Sequence, residues 1–196
     1  MKVANFIADF LAQKGVSEIF MLSGTGSIYL DDAFAHQKNM KYICARHEAA
    51  AVVMAEAVAK LTGGLGVVVS TTGPGATNAA AGVVEAWVDS LPVLIISGQV
   101  ESEQISNNDR TFGVQGFDVV SHVESITKYA ATVSNPEKIK YHLEKAIHYA
   151  KSGRPGPVWL DIPMDVQSAE IDLENLESFI AKEKTSTCST QSIKDL

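Results

Sequence analysis

Short apolar runs alternate along the chain with longer stretches of helical patterning. EIFML (18–22), KYICA (41–45), LGVVVSTT (65–72), PVLIISG (92–98), KYAATV (128–133) and PVWLDIP (157–163) have the length and β-branched enrichment of strands. Segments long enough for helices separate most of them. This alternation predicts a parallel sheet with helices on both faces, an α/β fold of the doubly wound kind. The unbroken apolar runs at 67–69 and 93–96 fit strands buried on both sides, since a strand with one wet face would alternate polar and apolar residues. Ahead of the first strand, Val3, Phe6, Ile7, Phe10 and Leu11 recur at helical spacing and predict an amphipathic helix.

Helix ends are legible too. Asn135 can cap a helix, Pro136 suits the first helical position, and apolar residues follow at Ile139, Leu143, Ala146, Ile147 and Ala150 until Gly153 and Pro155 stop it. Gly63 and Gly64 end a helix that begins near Glu48 in the same manner. Glu56 is the one charged residue of that helix between 49 and 59; the pattern sets it on the solvent-facing edge, paired with Lys60 one turn on. The remaining surface is small or apolar almost all round, which predicts burial against both the sheet and a second protein surface. After residue 168 the pattern decays, and 181–196 is polar and rich in Ser, Thr and Lys. The expectation is one domain over 1–168 and a linker or tail over 169–196.

Composition narrows the function classes. A chain of 196 residues with 46% hydrophobic content can bury a sizeable core. Sixteen basic against twenty-three acidic residues give a net charge of −7, and no Lys/Arg cluster could track a phosphate backbone, so no nucleic-acid partner is expected. Asp9 and Lys14 interrupt the opening apolar pattern, which a signal peptide would not, and no run nears the roughly 18 apolar residues of a membrane span. A cytoplasmic protein without a membrane partner is the expectation. Cys44 and Cys188 lie far apart with no neighbouring Cys or spaced His, so neither a disulfide framework nor a zinc site is suggested. His36, His47, His122, His142 and His148 likewise lack ligand spacing.

In a doubly wound sheet, ligands bind beyond the carboxyl ends of the strands. Four loops fall there: LSGTGS (22–27), ARHEAA (45–50), TTGPGATN (71–78) and SGQVE (97–101). The first is not a dinucleotide fingerprint, because Tyr29 stands where the third glycine belongs and Cys44, Ala45 and Arg46 where the acid should follow. No Gly-Lys-Ser/Thr occurs either. TTGPGATN gives a rigid turn in which backbone can closely approach a flat ligand or another subunit, and Ala76, Ala79, Ala80, Ala81 and Gly82 after it demand a close neighbour. Spacing leaves two roles open for Glu48: complementing the helix dipole in the first turn, or a carboxyl in a dry crevice that hands a proton back and forth.

Taken together, ARHEAAA, STTGPGATNAAAGVVEAWVDSLPVLIISGQV and SGRPGPVWLDIPMDVQ, in this order and spacing, resemble the N-terminal pyrimidine-binding domain of thiamine-diphosphate enzymes of the acetolactate synthase and pyruvate oxidase group. The resemblance covers about residues 1–168. It implies a six-stranded parallel sheet flanked by helices. It also implies that Glu48 hydrogen-bonds N1′ of the cofactor's aminopyrimidine, favouring the imino tautomer that removes the thiazolium C2 proton. Gly24 and Thr25 match the glycine loop near that ring, Thr71, Pro74 and Asn78 the Gly-Pro-Gly loop beside it, and Gln115 a glutamine close to the reacting centre. The implied activity is decarboxylation of a 2-keto acid, pyruvate by family, with transfer of the two-carbon unit to a keto acceptor.

Two stretches depart from the pattern. Acetolactate synthases have Tyr-Pro-Gly-Gly where this chain has Leu22-Ser23-Gly24-Thr25, and Phe-Gln-Glu where it has Val114-Gln115-Gly116. In these the chain looks closer to the acetolactate-synthase-like proteins of bacterial surface-polysaccharide pathways. The family's Mg²⁺ is held by a second domain bearing Gly-Asp-Gly, and this chain has no Gly-Asp pair, so the metal would be bound only through a domain absent here. The resemblance leaves FAD in the complete enzyme open. It implies pairing with a second copy, a homodimer or higher assembly, and inactivity of the chain alone. The missing half has two expected sources, a longer polypeptide cut at the linker or the partner of a small subunit in a split decarboxylase. A noncatalytic binding or assembly module of the same fold is the alternative outside catalysis.

Overall fold

A computed structural model describes residues 1–106 and 109–181 of the chain. Helix α1 (Val3–Gln13) leads into β1 (Glu18–Met21), α2 (Ile28–His36), β2 (Lys41–Cys44), α3 (Glu48–Thr62), β3 (Gly66–Ser70), α4 (Pro74–Val88) and β4 (Val93–Gln99). There follow a short α5 (Val119–Val123), β5 (Ala130–Thr132), α6 (Ile139–Lys151), β6 (Val158–Pro163) and α7 (Met164–Ser168). The strands form one six-stranded sheet in the order β2-β1-β3-β4-β6-β5, with every neighbouring pair parallel. This is the doubly wound arrangement that the alternating pattern predicts. Five strands fall inside the runs that announced them, and β4 continues one residue further, to Gln99.

Successive side chains of a strand point to opposite faces, so a sheet covered twice takes apolar residues at most positions of its central strands. In β3, Val67 and Val69 join a core with α1, α2 and α6, through residues such as Ile7, Leu11, Phe34 and Leu143. Val68 faces the other way, into a core with α3, α4 and α5 that includes Val52, Ala55, Ala79, Val83 and the fully buried Trp159. Edge strand β2 escapes this rule, with all four residues exposed, because none of the described residues covers the outer end of the sheet there. The small residues of α4 have their close neighbour in α3: a side-chain carbon added at Gly82 would come within 2.8 Å of Val52 Cβ and 3.0 Å of the Ala49 carbonyl.

Helix ends follow the sequence signals closely. Gly63 terminates α3 in the left-handed conformation at φ 66°, where a residue with a Cβ is strained. Asn135 accepts a hydrogen bond from the Glu137 amide and starts a 3₁₀ turn (Pro136–Lys138) that runs directly into α6.

Glu56 corrects the sequence expectation. It does not sit on the solvent edge paired with Lys60. It is 2% exposed, turned toward α4, with Oε1 lacking a hydrogen-bond partner, while Lys60 reaches across to Asp89 at 2.7 Å. Burial pushes the Glu56 carboxyl up to about 7, and the nearby Glu85 charge adds to the effect. A spacing of one turn allows an ion pair on a lone helix, but the end of α4 offers Lys60 a better-placed carboxylate.

Residues after 168 run back along the domain. The Val3 amide donates to the Ala169 carbonyl at 3.0 Å, and the Ile171 amide to the Met1 carbonyl at 2.9 Å. Ile171 and Leu176 are buried, and Phe179 stacks edge-on against Tyr141. Cys188 and the rest of the polar stretch beyond 181 lie outside the described residues. Among the described residues, no helix is long and apolar enough to cross a membrane.

Candidate active site

The winding reverses direction at β1, whose sheet neighbours are β2 and β3, so the loops after β1 and β3 part to opposite sides and leave a crevice at their carboxyl ends. Thr71, just past β3, bridges it. Its hydroxyl accepts the Gly26 amide at 3.1 Å, and a side-chain carbon added at Gly24 would lie 2.6 Å from Thr71 Cβ, so glycine is required for the two loops to touch. The first loop is held from below by Asp31, whose Oδ2 accepts the Ser27 hydroxyl at 3.0 Å and the Gly24 amide at 3.3 Å. Burial pushes the Asp31 carboxyl up to about 6 against the pull of those two donors. Gln167 fastens the same loop from α7, donating to the Gly26 carbonyl at 2.7 Å.

Glu48 enters the crevice from the first turn of α3. His47, at the N-cap, accepts the Ala49 amide through Nδ1 at 3.2 Å and so fixes where the helix begins. The Glu48 side chain is 5% exposed, and its Oε2 accepts the Asn78 side-chain amide at 3.0 Å. Asn78 is delivered by α4, one turn after Pro74 at its first position. Gly73, before that proline, has φ 63° and ψ −123°, a conformation open in practice only to glycine. At Gly75 an added carbon would come within 2.7 Å of Thr71 Cγ2 and 3.1 Å of Glu48 Oε1, so the missing side chain leaves that oxygen its space.

Asn78 occupies Oε2, and Oε1 accepts no protein hydrogen bond among the described residues. A carboxyl oxygen beside a glycine, on a residue only 5% exposed and without a protein partner on that oxygen among the described residues, can share a proton with a nitrogen at the edge of a flat heteroaromatic ring. The residues therefore fit an aminopyrimidine.

The crevice unites Gly24, Glu48, Thr71 and Asn78. Gln115 adjoins it by backbone rather than side chain: it lies in a turn closed by paired amide bonds between Phe112 and Gly116, 2.9 Å each, and its carbonyl rests against Gly73. Gln115 has φ 68°, unusual for a residue with a side chain, and that side chain is exposed. Thr25 and Pro74 are exposed at the rim. Sequence reading assigned no role to Asp31, Thr72, Gln99 or Asp161, although Thr72 and Gln99 fall in two of the four loops it set at the strand ends. A buried amide at the end of a strand looks like a loop residue until its partners are known; for Gln99 the position after the β4 apolar run was the only signal. Among the described residues, no group of three or more His, Cys, Asp or Glu side chains is placed to hold a metal ion.

Comparison with known proteins adds an independent line. Residues 1–133 match the family model described as thiamine pyrophosphate enzyme, N-terminal TPP binding domain. The acetolactate synthase isozyme 1 large subunit of Escherichia coli K12 is 34% identical over 192 residues, 98% of this chain and 34% of that protein. A probable acetolactate synthase large subunit of Methanocaldococcus jannaschii is 39% identical over 174 residues, 89% of this chain and 29% of that protein. The acetolactate synthase large subunit of Lactococcus lactis is 38% identical over 168 residues, 86% of this chain and 28% of that protein. This chain thus spans about a third of the length of the curated relatives it matches. The family model matched over residues 1–133 and relatives 34–39% identical over most of the chain, on a parallel sheet of this order, make the chain a member of the thiamine pyrophosphate enzyme N-terminal TPP-binding domain family.

Proposed function

We propose that this chain is the pyrimidine-binding domain of an acetolactate-synthase-like enzyme, which decarboxylates a 2-keto acid, pyruvate first among them, and transfers the two-carbon unit to a second keto compound. The observation that carries the proposal is the Glu48 carboxyl, held through Oε2 by Asn78 and presenting Oε1 to the crevice. Bound there, thiamine diphosphate would supply the carbon nucleophile and electron sink that decarboxylation needs. The chain's own residues have narrower tasks. Glu48 would hold or yield one proton at Oε1, Thr71 and Gly24 would wall one face of the ring, and Asn78 would keep Oε2 from rotating into the ring's place. A flat ring seated between α3 and α4 would displace the remaining water from the carboxyl, which would sharpen its interaction with a ring nitrogen.

Mg²⁺ and the diphosphate would be held by the part of the enzyme that lies outside this chain, as would FAD if the enzyme uses it. The α/β pattern of the domain would end near residue 168, with the segment after it packed back on the domain, and the chain alone would be inactive. Self-association through the outer faces of α3 and α4 is supported by the apolar side chains they leave exposed, Val53, Met54 and Leu61 on one helix and Val84, Trp87 and Val88 on the other. A cytoplasmic location suits a chain of this composition acting on small acids.

The test is to assemble the chain with the diphosphate-binding domain, on one polypeptide or two, and to supply thiamine diphosphate, Mg²⁺ and pyruvate. Release of CO₂ with formation of a carbon–carbon bonded product is expected. Tight cofactor binding with no turnover of any 2-keto acid would instead mark a noncatalytic module.

A further inference from the structure

Gln99, the last residue of β4, is 2% exposed and uses all four hydrogen-bonding positions of its side-chain amide. Its Oε1 accepts the Thr72 hydroxyl at 2.8 Å and the Val100 amide at 3.0 Å, and its Nε2 donates to the Phe117 carbonyl at 3.0 Å and to Asp161 Oδ2 at 3.1 Å. Two of those partners are backbone groups of fixed character, a donor at 100 and an acceptor at 117, so the amide cannot be turned over without breaking both. Asp161, on β6, is anchored in turn: its Oδ1 accepts the Ser97 hydroxyl at 2.6 Å, and Trp159 Nε1 donates to Ser97 Oγ at 2.7 Å. A continuous polar chain therefore runs from the centre of the sheet to two loops of the crevice. Thr72 is the residue between Thr71 and Gly73. Phe117 directly follows the turn carrying Gln115, and Gly116 lies so near that an added carbon there would sit 2.8 Å from Gln99 Oε1.

We infer that Gln99 is a positioning residue: through Thr72 on one side and Phe117 on the other it sets the distance between the Gly-Pro-Gly loop and the Gln115 turn, and with it the shape of the crevice beside Gln115, which the resemblance sets close to the reacting centre and where the keto acid would lie. This rests on the function proposed above. The Glu48 side has bonds of its own, Asn78 to Glu48 and Gly26 to Thr71, neither of which passes through Gln99. Thr72 also packs against Gly26, but through contacts that do not need the Gln99 hydrogen bond, so loss of the Gln99 links is expected to loosen the Gln115 turn more than the ring-binding side. The unusual backbone of Gln115 at φ 68° costs energy that the Phe112–Gly116 closure and the Gln99 contact must together offset.

The test uses Thr72→Val, which keeps the shape of the side chain and removes one hydrogen bond, together with Thr72→Ser and Gln99→Leu. Amide exchange is followed at Phe112 and Gly116 in the 196-residue chain, and kinetics in the assembled enzyme. Thr72→Val is expected to speed exchange at those two amides, and to lower kcat/KM for the keto acid about tenfold while the cofactor Kd stays within about threefold. Thr72→Ser is expected to restore both. Gln99→Leu is expected to have the larger effect, about a hundredfold in kcat/KM; should it fail to fold, Thr72→Val decides. If the wild-type enzyme turns over pyruvate and Thr72→Val changes neither exchange nor kcat/KM, the positioning role is wrong. Equal loss of cofactor affinity and kcat/KM also overturns it, as general loosening. If the wild type binds no thiamine diphosphate, the functional proposal fails, and the claim that Gln99 shapes a keto-acid site fails with it, even where exchange at Phe112 and Gly116 responds.

Discussion

Asp161 makes a sharp prediction about stability, because a carboxyl inside a sheet must fold in one protonation state and unfold into another. It is 2% exposed, and burial pushes it from 3.8 up to about 7 against the hydrogen bonds of Ser97, Gln99 and Thr132, with the Asp118 charge adding to the rise. Below 3.8 the proton is bound in both states, and the group gives no pH dependence. Between 3.8 and about 7 the unfolded chain has released the proton while the folded chain keeps it, so the folded state binds more protons and stability falls as pH rises. At about 1.4 kcal/mol per unit, a difference of about 3 units amounts to roughly 4 kcal/mol, fully lost once the pH passes 7. Asp161→Asn removes the titration and can still receive Gln99 and Thr132 at its oxygen while its amide meets Ser97. Urea unfolding of both proteins from pH 4 to pH 8 is the assay. The gap between them should change by about 4 kcal/mol in favour of the variant, about 2 M in midpoint at an m value near 2 kcal/mol per M. Asp31 and Glu56, also raised, titrate in both proteins and cancel in the comparison. Parallel curves across that range would refute a protonated Asp161 in the folded chain.

Two further outcomes follow from the crevice and the helix pair. Gly75→Ala introduces no backbone strain within α4, but its methyl meets Thr71 Cγ2 at 2.7 Å, which predicts a loss of about 1–3 kcal/mol in thermal unfolding and cofactor affinity at least about tenfold weaker by titration. An unchanged affinity would mean that the space beside Glu48 Oε1 is not used. Val84→Asp, in the exposed apolar face of α4, is expected to shift the chain toward monomer in sedimentation at concentrations where the wild type associates. A wild type that stays monomeric at every concentration would remove that face from the proposed assembly.

How much of this was legible before any coordinates depends on what each residue touches. Strands β3 and β4 were plain because burial on two faces forbids polar interruptions, and the ends of α3 and α6 because glycine, proline and asparagine have local conformational reasons to be there. Glu56 was misjudged because helical spacing gives an angle around the axis without saying which faces are covered; α4, brought close by Gly82, covers that one. Gln99 and Asp161 were invisible for a related reason. Apart from the adjacent Val100 amide, their partners lie 18 to 64 residues away, and a polar side chain near a loop signals nothing until the sheet order sets β4 beside β6. Glu48 was identified by resemblance, while its supports, the His47 cap and the Asn78 amide, come from geometry.

Exchange of the thiazolium C2 proton of bound thiamine diphosphate, followed by quenched NMR in the assembled enzyme, tests the central claim most directly. In Glu48→Gln the side chain can still accept the Asn78 amide, yet it presents a nitrogen that cannot pass a proton to the ring. The account predicts retained cofactor binding and exchange slower by about 10²- to 10⁴-fold than in the wild type. Wild-type exchange in the variant would contradict it.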